Sequence, residues 1–393
     1  MYSSARSDVI AWLHAHEAEM LALLETLVNQ DSGSHYKAGV DRVGAALREH
    51  LESAGLATRA YAQSRHGDSL LAEVPGPGED DGQGYVLLLG HMDTVFPQGT
   101  ARERPFRVDG HTAYGPGVAD MKAGLVMNTF VARACHELGA NGVPIRVLYT
   151  GDEEIASPSS RHSTAEVARG ALAVFNAEPG RPSGNLVIGR KGAMFIDFEV
   201  DGVAAHAGVN PDKGASAIEA LARKIVALHG LADSAAGVTT NVGVVAGGSS
   251  VNTVAAHASA KLDVRFPAEV DQDGLRERIA EIIEAQSPAC TCGRIVGEGC
   301  FLPFSANADS QRLLAAYQEQ AQALGFSVEG EYTGGSADSG LTASVGAPTL
   351  CATGPVGGEV HTEREYCRID TLVPRAQALA LTLLGPRRGL FRS

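Results

Sequence analysis

Val86-Leu87-Leu88-Leu89-Gly90-His91-Met92-Asp93-Thr94 is an apolar run that ends abruptly in two polar side chains. An uninterrupted run of this kind predicts a strand buried on both faces, as in a parallel sheet covered by helices. His91 and Asp93, two residues apart on an extended chain, leave the same face. In open sheets of this type ligands gather beyond the carboxyl ends of the strands, so the pair stands where a site would form. His-x-Asp after a strand is common, and the pair alone does not define one.

Upstream, Val9, Ile10, Leu13, Met20, Leu21, Leu23, Leu24 and Leu27 recur at helical spacing and predict one amphipathic helix from about Ala5 to Asn29. Val40, Val43, Leu47 and Leu51 predict a second helix ending at Gly55. Short strands are expected between Ala57 and Val74, and a surface loop from Pro75 to Gly84. Downstream, a long loop reaches Gly115-Pro116-Gly117-Val118-Ala119-Asp120-Met121-Lys122-Ala123-Gly124, and a helix follows to Gly139. Asp120 therefore falls at or just before a helix amino terminus, where a carboxylate is an ordinary cap.

The next strand, through Ile145, Val147, Leu148 and Tyr149, ends in Asp152-Glu153-Glu154. Another, Leu172 to Phe175, ends in Asn176-Ala177-Glu178-Pro179. Three successive strand-like runs thus end in acidic or imidazole side chains. Each taken singly reads as solvated loop charge; adjacent Glu153 and Glu154 repel unless something positive sits among them.

From Gly192 the pattern changes to alternation, with Met194, Ile196, Phe198 and Val200 set against Phe195, Asp197 and Glu199. Strand, helix (Ala215 to Leu231), two strands (near Val238 to Val245 and Asn252 to Phe266), helix (Gln272 to Ala285) and a last strand near Thr291 to Val296 match the split βαββαβ plan. The expected fold class is α/β. A domain with a mainly parallel sheet flanked by helices spans 1–190 and 300–393, and a ferredoxin-like α+β domain is inserted at 191–299. A helix from Ser310 to Gly325, the loop Gly334-Gly335-Ser336-Ala337-Asp338, the His361 segment and a helix from Thr371 to Leu384 close the chain.

A length of 393 residues suits two domains. A formal net charge of -14 argues against a nucleic-acid partner, which needs a basic stripe. Six cysteines are too few for a disulfide scaffold and read as free thiols; Cys290-x-Cys292 with Cys300 lacks one ligand of a zinc site. Met1 to Trp12 does not read as a signal peptide and no run approaches a membrane span, so a cytoplasmic protein is expected.

A pair of zinc ions needs a bridging carboxylate, further His, Asp or Glu ligands, and a base that does not ligate. His91, Asp120, Glu154, Glu178 and His361 supply that inventory, and Glu153 is left over. Neighbouring side chains of an extended segment point apart, so Glu153 and Glu154 should not serve one metal face.

The motifs Gly90-His91-Met92-Asp93-Thr94-Val95, Gly115 to Gly124, Asp152-Glu153-Glu154 and Ala177-Glu178-Pro179 occur in that order. With Ala205-His206-Ala207-Gly208, Asp263-Val264-Arg265, Thr333 to Asp338 and Val360-His361, they resemble the zinc-dependent aminoacylase/carboxypeptidase metallopeptidase family. The likeness is greatest to its bacterial glutamate carboxypeptidase branch, the folate-cleaving type. It implies two zinc ions per subunit bridged by Asp120, with His91 and Glu178 completing one metal, and Glu154 and His361 the other. It implies Asp93 as the orienter of His91, Glu153 as general base, His206 as a donor to the oxyanion, and a cis peptide at Asp120-Met121. Arg265 resembles the residue that holds a substrate carboxylate, with Asn252, Gly335 and Ser336 as further substrate contacts.

The implied reaction is zinc-assisted hydrolysis of an amide, releasing a carboxyl-terminal amino acid, glutamate by the greatest likeness, from an N-acyl or peptidyl substrate. A deacylase or dipeptidase shares the chemistry, and a non-catalytic metal-binding interaction module is the reading from another class. The partners implied are a small-molecule substrate and a second copy in a homodimer, with no membrane. Arg190-Lys191-Gly192 fits the peptidase and deacylase branches better, Ser336 stands where glycine is frequent, and Glu298 to Phe304 offers no further substrate-binding arginine.

Overall fold

The computed structural model describes residues 2–76 and 84–384. It divides into two compact units, one of Met1–Gly189, Ser305–Thr333 and Ala337–Ser393, the other of Arg190–Phe304 with Gly334–Ser336. The loop expected at Pro75 to Gly84 falls largely outside the described residues.

The first unit is built on an eight-stranded sheet. Its centre is parallel: Ile145–Thr150, Val86–His91, Ala173–Asn176 and Thr349–Cys351 lie side by side in that order. Antiparallel strands extend it on both sides, among them Ser69–Val74 beside Ile145–Thr150 and Leu186–Arg190 beside Thr349–Cys351. Every residue of Val86–His91 is buried. Val86 and Leu88 enter the larger core, whereas Leu87 and Leu89 enter a smaller one with Val167, Ala168 and Val174. Each such side chain contributes roughly 1.5–3 kcal/mol by burial, which holds the strand from both faces.

Two details depart from the sequence expectation. The opening helix is two, Tyr2–Ala15 and Glu17–Val28, separated at His16, whose Nδ1 donates to the Trp12 carbonyl and whose ring stacks on the Trp12 ring at 3.7 Å. A second, four-stranded sheet of very short strands has no counterpart in the sequence pattern: Gly357–Gly358, Tyr366–Arg368, Thr112–Tyr114 and Arg107–Asp109 in that order. Strands of two or three residues are too short to leave a periodic signal.

The second unit carries the antiparallel sheet order Thr239–Gly247, His257–Phe266, Gly192–Asp201, Cys292–Phe301. Helices Ala217–His229 and Gln272–Glu284 supply Ala217, Ala220, Leu221, Leu275, Ile279 and Ile283 to the same core as Ile196, Phe198 and Leu262. This is the split βαββαβ arrangement. The strand expected from Asn252 begins only at His257; Asn252 lies in the turn before it.

Candidate metal centre

The polar side chains at the ends of the central strands of the first unit converge. His91 ends its strand, and its Nε2 lies 3.2 Å from Asp120 Oδ1, 3.7 Å from Glu178 Oε1 and 3.8 Å from Glu153 Oε2. His361 Nε2 lies 3.4 Å from Asp120 Oδ2 and 3.1 Å from Glu154 Oε2. The two oxygens of Asp120 therefore face two different imidazoles. His361 and its neighbour Glu359 adopt φ of 63° and 53°, a conformation that costs free energy and is tolerated where surroundings enforce it.

Asp120 is not a helix cap. It sits in the turn Val118–Lys122 with φ -110° and ψ 90°, before the helix Ala123–Leu138, and its carboxylate bonds to imidazoles instead of the helix start. The Asp120-Met121 peptide is cis. Gly117, at φ 72°, makes the preceding bend, and a side chain there would meet Thr94 Cγ2 at 2.5 Å. Glu153–Ile155 is a short helical turn rather than extended chain. The two glutamates still diverge, Glu153 toward His91 and Glu154 toward His361.

Asp93 is fully buried, and its carboxylate accepts hydrogen bonds from Ser34 Oγ (2.7 Å) and from the amides of Glu153 (3.0 Å) and Glu154 (3.1 Å). His91 Nδ1 lies 3.0 Å from the Asp93 carbonyl and 3.4 Å from its Oδ1. A proton on Nδ1 donated to Asp93 leaves the Nε2 lone pair for a cation. Ser34 and Glu365 were not singled out from the sequence. The signal for Glu365 was its place four residues after His361; none marked Ser34.

Electrostatics make the cluster costly without cations. Burial raises the Glu153 carboxyl well above its usual range, against the pull of His91 and with the help of Glu178, Asp338 and Glu154. Burial, then the Asp120 charge, raises Glu154. Burial pushes Asp120 up too, but hydrogen bonds from His361 and His91 overrule it and hold it well below the carboxylate range. Hydrogen bonds to Asp120 and Glu154 push His361 up to about 10. Burial pulls the His91 imidazole down, yet Glu153, Asp120 and Asp93 raise it well above its usual value.

The donor set fits divalent cations. Ligand atoms of His91, Glu153 and Glu178 lie within 4.8 Å of one another, as do those of His91, Asp120 and Glu154. Glu154 Oε1 is buried with no hydrogen-bond partner. Oxygen and imidazole nitrogen suit zinc and similar metals. No cysteine joins any such group among the described residues, and none of the six cysteines forms a disulfide.

His206, Asn252, Arg265, Gly335 and Ser336 lie in the second unit. His206 is exposed, and its Nδ1 accepts from the Gly208 amide at 3.1 Å, which leaves an Nε2 donor. The Ala207 amide donates to the Asn252 carbonyl at 3.0 Å, joining the His206 and Asn252 segments. Asp263 grips Arg265 through Nε (2.8 Å) and Nη2 (2.7 Å), Phe195 lies under the guanidinium at 5.2 Å, and Nη1 donates to Ser336 Oγ at 3.2 Å. Gly335, exposed, accepts from Arg190 at 3.2 Å.

Carboxylates and imidazoles that converge from strand ends and separate turns on one cluster are the equipment of a metal-dependent hydrolase. The chain belongs to peptidase family M20/M25/M40, whose family model matches residues 87–385. It is 29% identical over 375 residues to carboxypeptidase G2 of Pseudomonas sp. (strain RS-16), covering 93% of this chain and 88% of that one. It is 27% identical over 289 residues to acetylornithine deacetylase of Yersinia pseudotuberculosis, covering 68% and 73%. Its fold is shared with an M20 family metallo-carboxypeptidase of Sulfolobus solfataricus, at a TM-score of 0.77 and 20% identity over 93% of this chain and 99% of that one.

Proposed function

We propose that this metallohydrolase cleaves an amide to release a carboxyl-terminal amino acid, with glutamate as the first candidate, from an N-acyl or peptidyl substrate. The observation that carries the reading is Asp120, with one oxygen toward His91 and the other toward His361. Asp120 with His91 and Glu178 would hold one zinc ion, and Asp120 with Glu154 and His361 a second. Held there, two such cations would polarise a carbonyl and acidify water.

Within that setting Glu153 is the general base. Its elevated proton affinity suits a group that takes a proton from the attacking water and passes it to the departing amine nitrogen. Asp93 holds the His91 ring and the Glu153-Glu154 backbone together. His206, with Nε2 as donor, stabilises the developing oxyanion, supplied by its own subunit or by a neighbour. Arg265, fixed along one edge by Asp263, presents its remaining donors to a substrate carboxylate, an arrangement suited to a planar fork. Asn252, Gly335 and Ser336 complete the substrate contacts.

The inserted unit is read as a lid and dimerisation domain at about 191–299. Supporting this, its outer strand Thr239–Gly247 exposes Val244 and Val245, and helix Ala217–His229 exposes Ile218 and Val226. Exposed apolar groups beside an unpaired strand edge favour cover by a second copy. Sedimentation at micromolar concentration tests this, and a monomer refutes it.

A panel of N-acyl glutamates, N-acetyl amino acids and dipeptides, offered to zinc-loaded protein, tests the substrate. Preference for the glutamates supports the leading reading. Preference for N-acetyl amino acids moves it to the deacylase branch, which Arg190-Lys191-Gly192 and the acetylornithine deacetylase likeness favour.

A further inference from the structure

We infer that Glu365 is a positioning residue that ties the turn carrying Asp120 to the segment carrying His361, so setting the spacing between the ligands of the two metals. The inference rests on the two-metal reading above. Glu365 is 1% exposed. Its Oε2 accepts from the Gly117 amide at 3.0 Å, and its Oε1 accepts from the amides of Ala119 (2.9 Å) and Asp120 (3.0 Å). Three amides of one turn thus converge on one carboxylate, the backbone concavity that suits an anion.

The location gives this cradle a purpose beyond filling hydrogen-bond demand. Glu365 stands four residues after His361 and directly before the strand Tyr366–Arg368, which pairs with Thr112–Tyr114. Asp120 and His361 are 241 residues apart in sequence, yet each is a few residues from the same carboxylate. His361 is half exposed. Amide bonds to an ionised carboxylate are stronger than neutral ones, so in its charged form Glu365 anchors the turn more firmly than a carbonyl or water would. Both its oxygens are taken by amides, and it belongs to neither cluster of metal-ligating atoms.

Substitution should therefore show itself in metal binding. Glu365→Gln keeps one acceptor oxygen but sets an NH2 group against at least one amide; Glu365→Ala removes every acceptor. Zinc titration against a chromophoric chelator should give two ions per wild-type chain. In Glu365→Gln, affinity for the more weakly held ion should fall about 10- to 100-fold, the scale for groups that orient metal ligands, with a larger loss in Glu365→Ala. The cobalt-substituted absorption spectrum should change in step, because ligand geometry changes.

Wild-type affinity and an unaltered cobalt spectrum in Glu365→Gln would overturn the proposal. So would equal weakening of both ions in proportion to a lowered melting temperature of the metal-free variant, which marks a merely structural role. Should the variants fail to fold, hydrogen exchange of the metal-free wild type decides: the Gly117, Ala119 and Asp120 amides should be protected, and free exchange refutes the tie. A wild-type chain that takes fewer than two ions refutes the two-metal reading instead, while the exchange result still judges the tie.

Discussion

Asp93→Asn changes a single atom of the carboxylate that holds the metal centre together. Oδ2 serves both Ser34 Oγ and the Glu154 amide, and Oδ1 serves the Glu153 amide and faces His91 Nδ1. An asparagine keeps the most bonds by placing its oxygen at the Oδ2 position. Its NH2 group then confronts the Glu153 N–H and the His91 ring, leaving one buried amide without an acceptor. That costs about 1–3 kcal/mol of folding stability, the range for an unpaired buried polar group. His91 also loses its nearby negative charge, and metal affinity should fall about 10- to 100-fold, or roughly 1.4–2.8 kcal/mol. Urea unfolding of the metal-free protein reads the first quantity, and chelator competition reads the second. A variant that is destabilised yet binds zinc as tightly as wild type would leave Asp93 as scaffold only, and unchanged values in both assays would refute the reasoning altogether.

Three other outcomes are expected. Glu153→Gln should lower kcat by about 10²- to 10⁴-fold while the zinc content stays at the wild-type level; undiminished turnover rules out Glu153 as the base. Chelation should lower the melting temperature, since zinc at 100 times its Kd stabilises the folded chain by about 2.7 kcal/mol per site; an unmoved transition means that no metal stabilises the cluster of Asp120, Glu153, Glu154 and Glu178. Gly124→Ala would bring a Cβ within 2.0 Å of the Ala177 carbonyl, next to Glu178. It should destabilise the protein by about 1–3 kcal/mol, as overpacking does, and weaken zinc binding; wild-type stability would show that the helix start has room to move.

Long elements were legible because their periodicity repeats: the buried strand Val86–His91, the helices of both units and the alternation of Gly192–Asp201 all left a pattern. The break at His16 was not legible, because Tyr2–Ala15 and Glu17–Val28 carry apolar residues at one continuous spacing and the interruption is a local conformation. Asp120 illustrates the limit at a site. Its position before a helix reads as a cap, and only the approach of His91 and His361 shows where its carboxylate is directed.

The sequence by itself determined the fold class, the clustering of acids and imidazoles at strand ends, and through its joint motifs the resemblance to a metallopeptidase family, because these depend on local order along the chain. Only the tertiary structure decided how residues hundreds of positions apart share one centre. Short strands without a periodic signal bring His361 and Glu365 to the Asp120 turn, and the Ser34 hydroxyl meets the Glu153 and Glu154 amides on the Asp93 carboxylate. Such contacts depend on packing and backbone direction in three dimensions, which spacing along a chain does not encode.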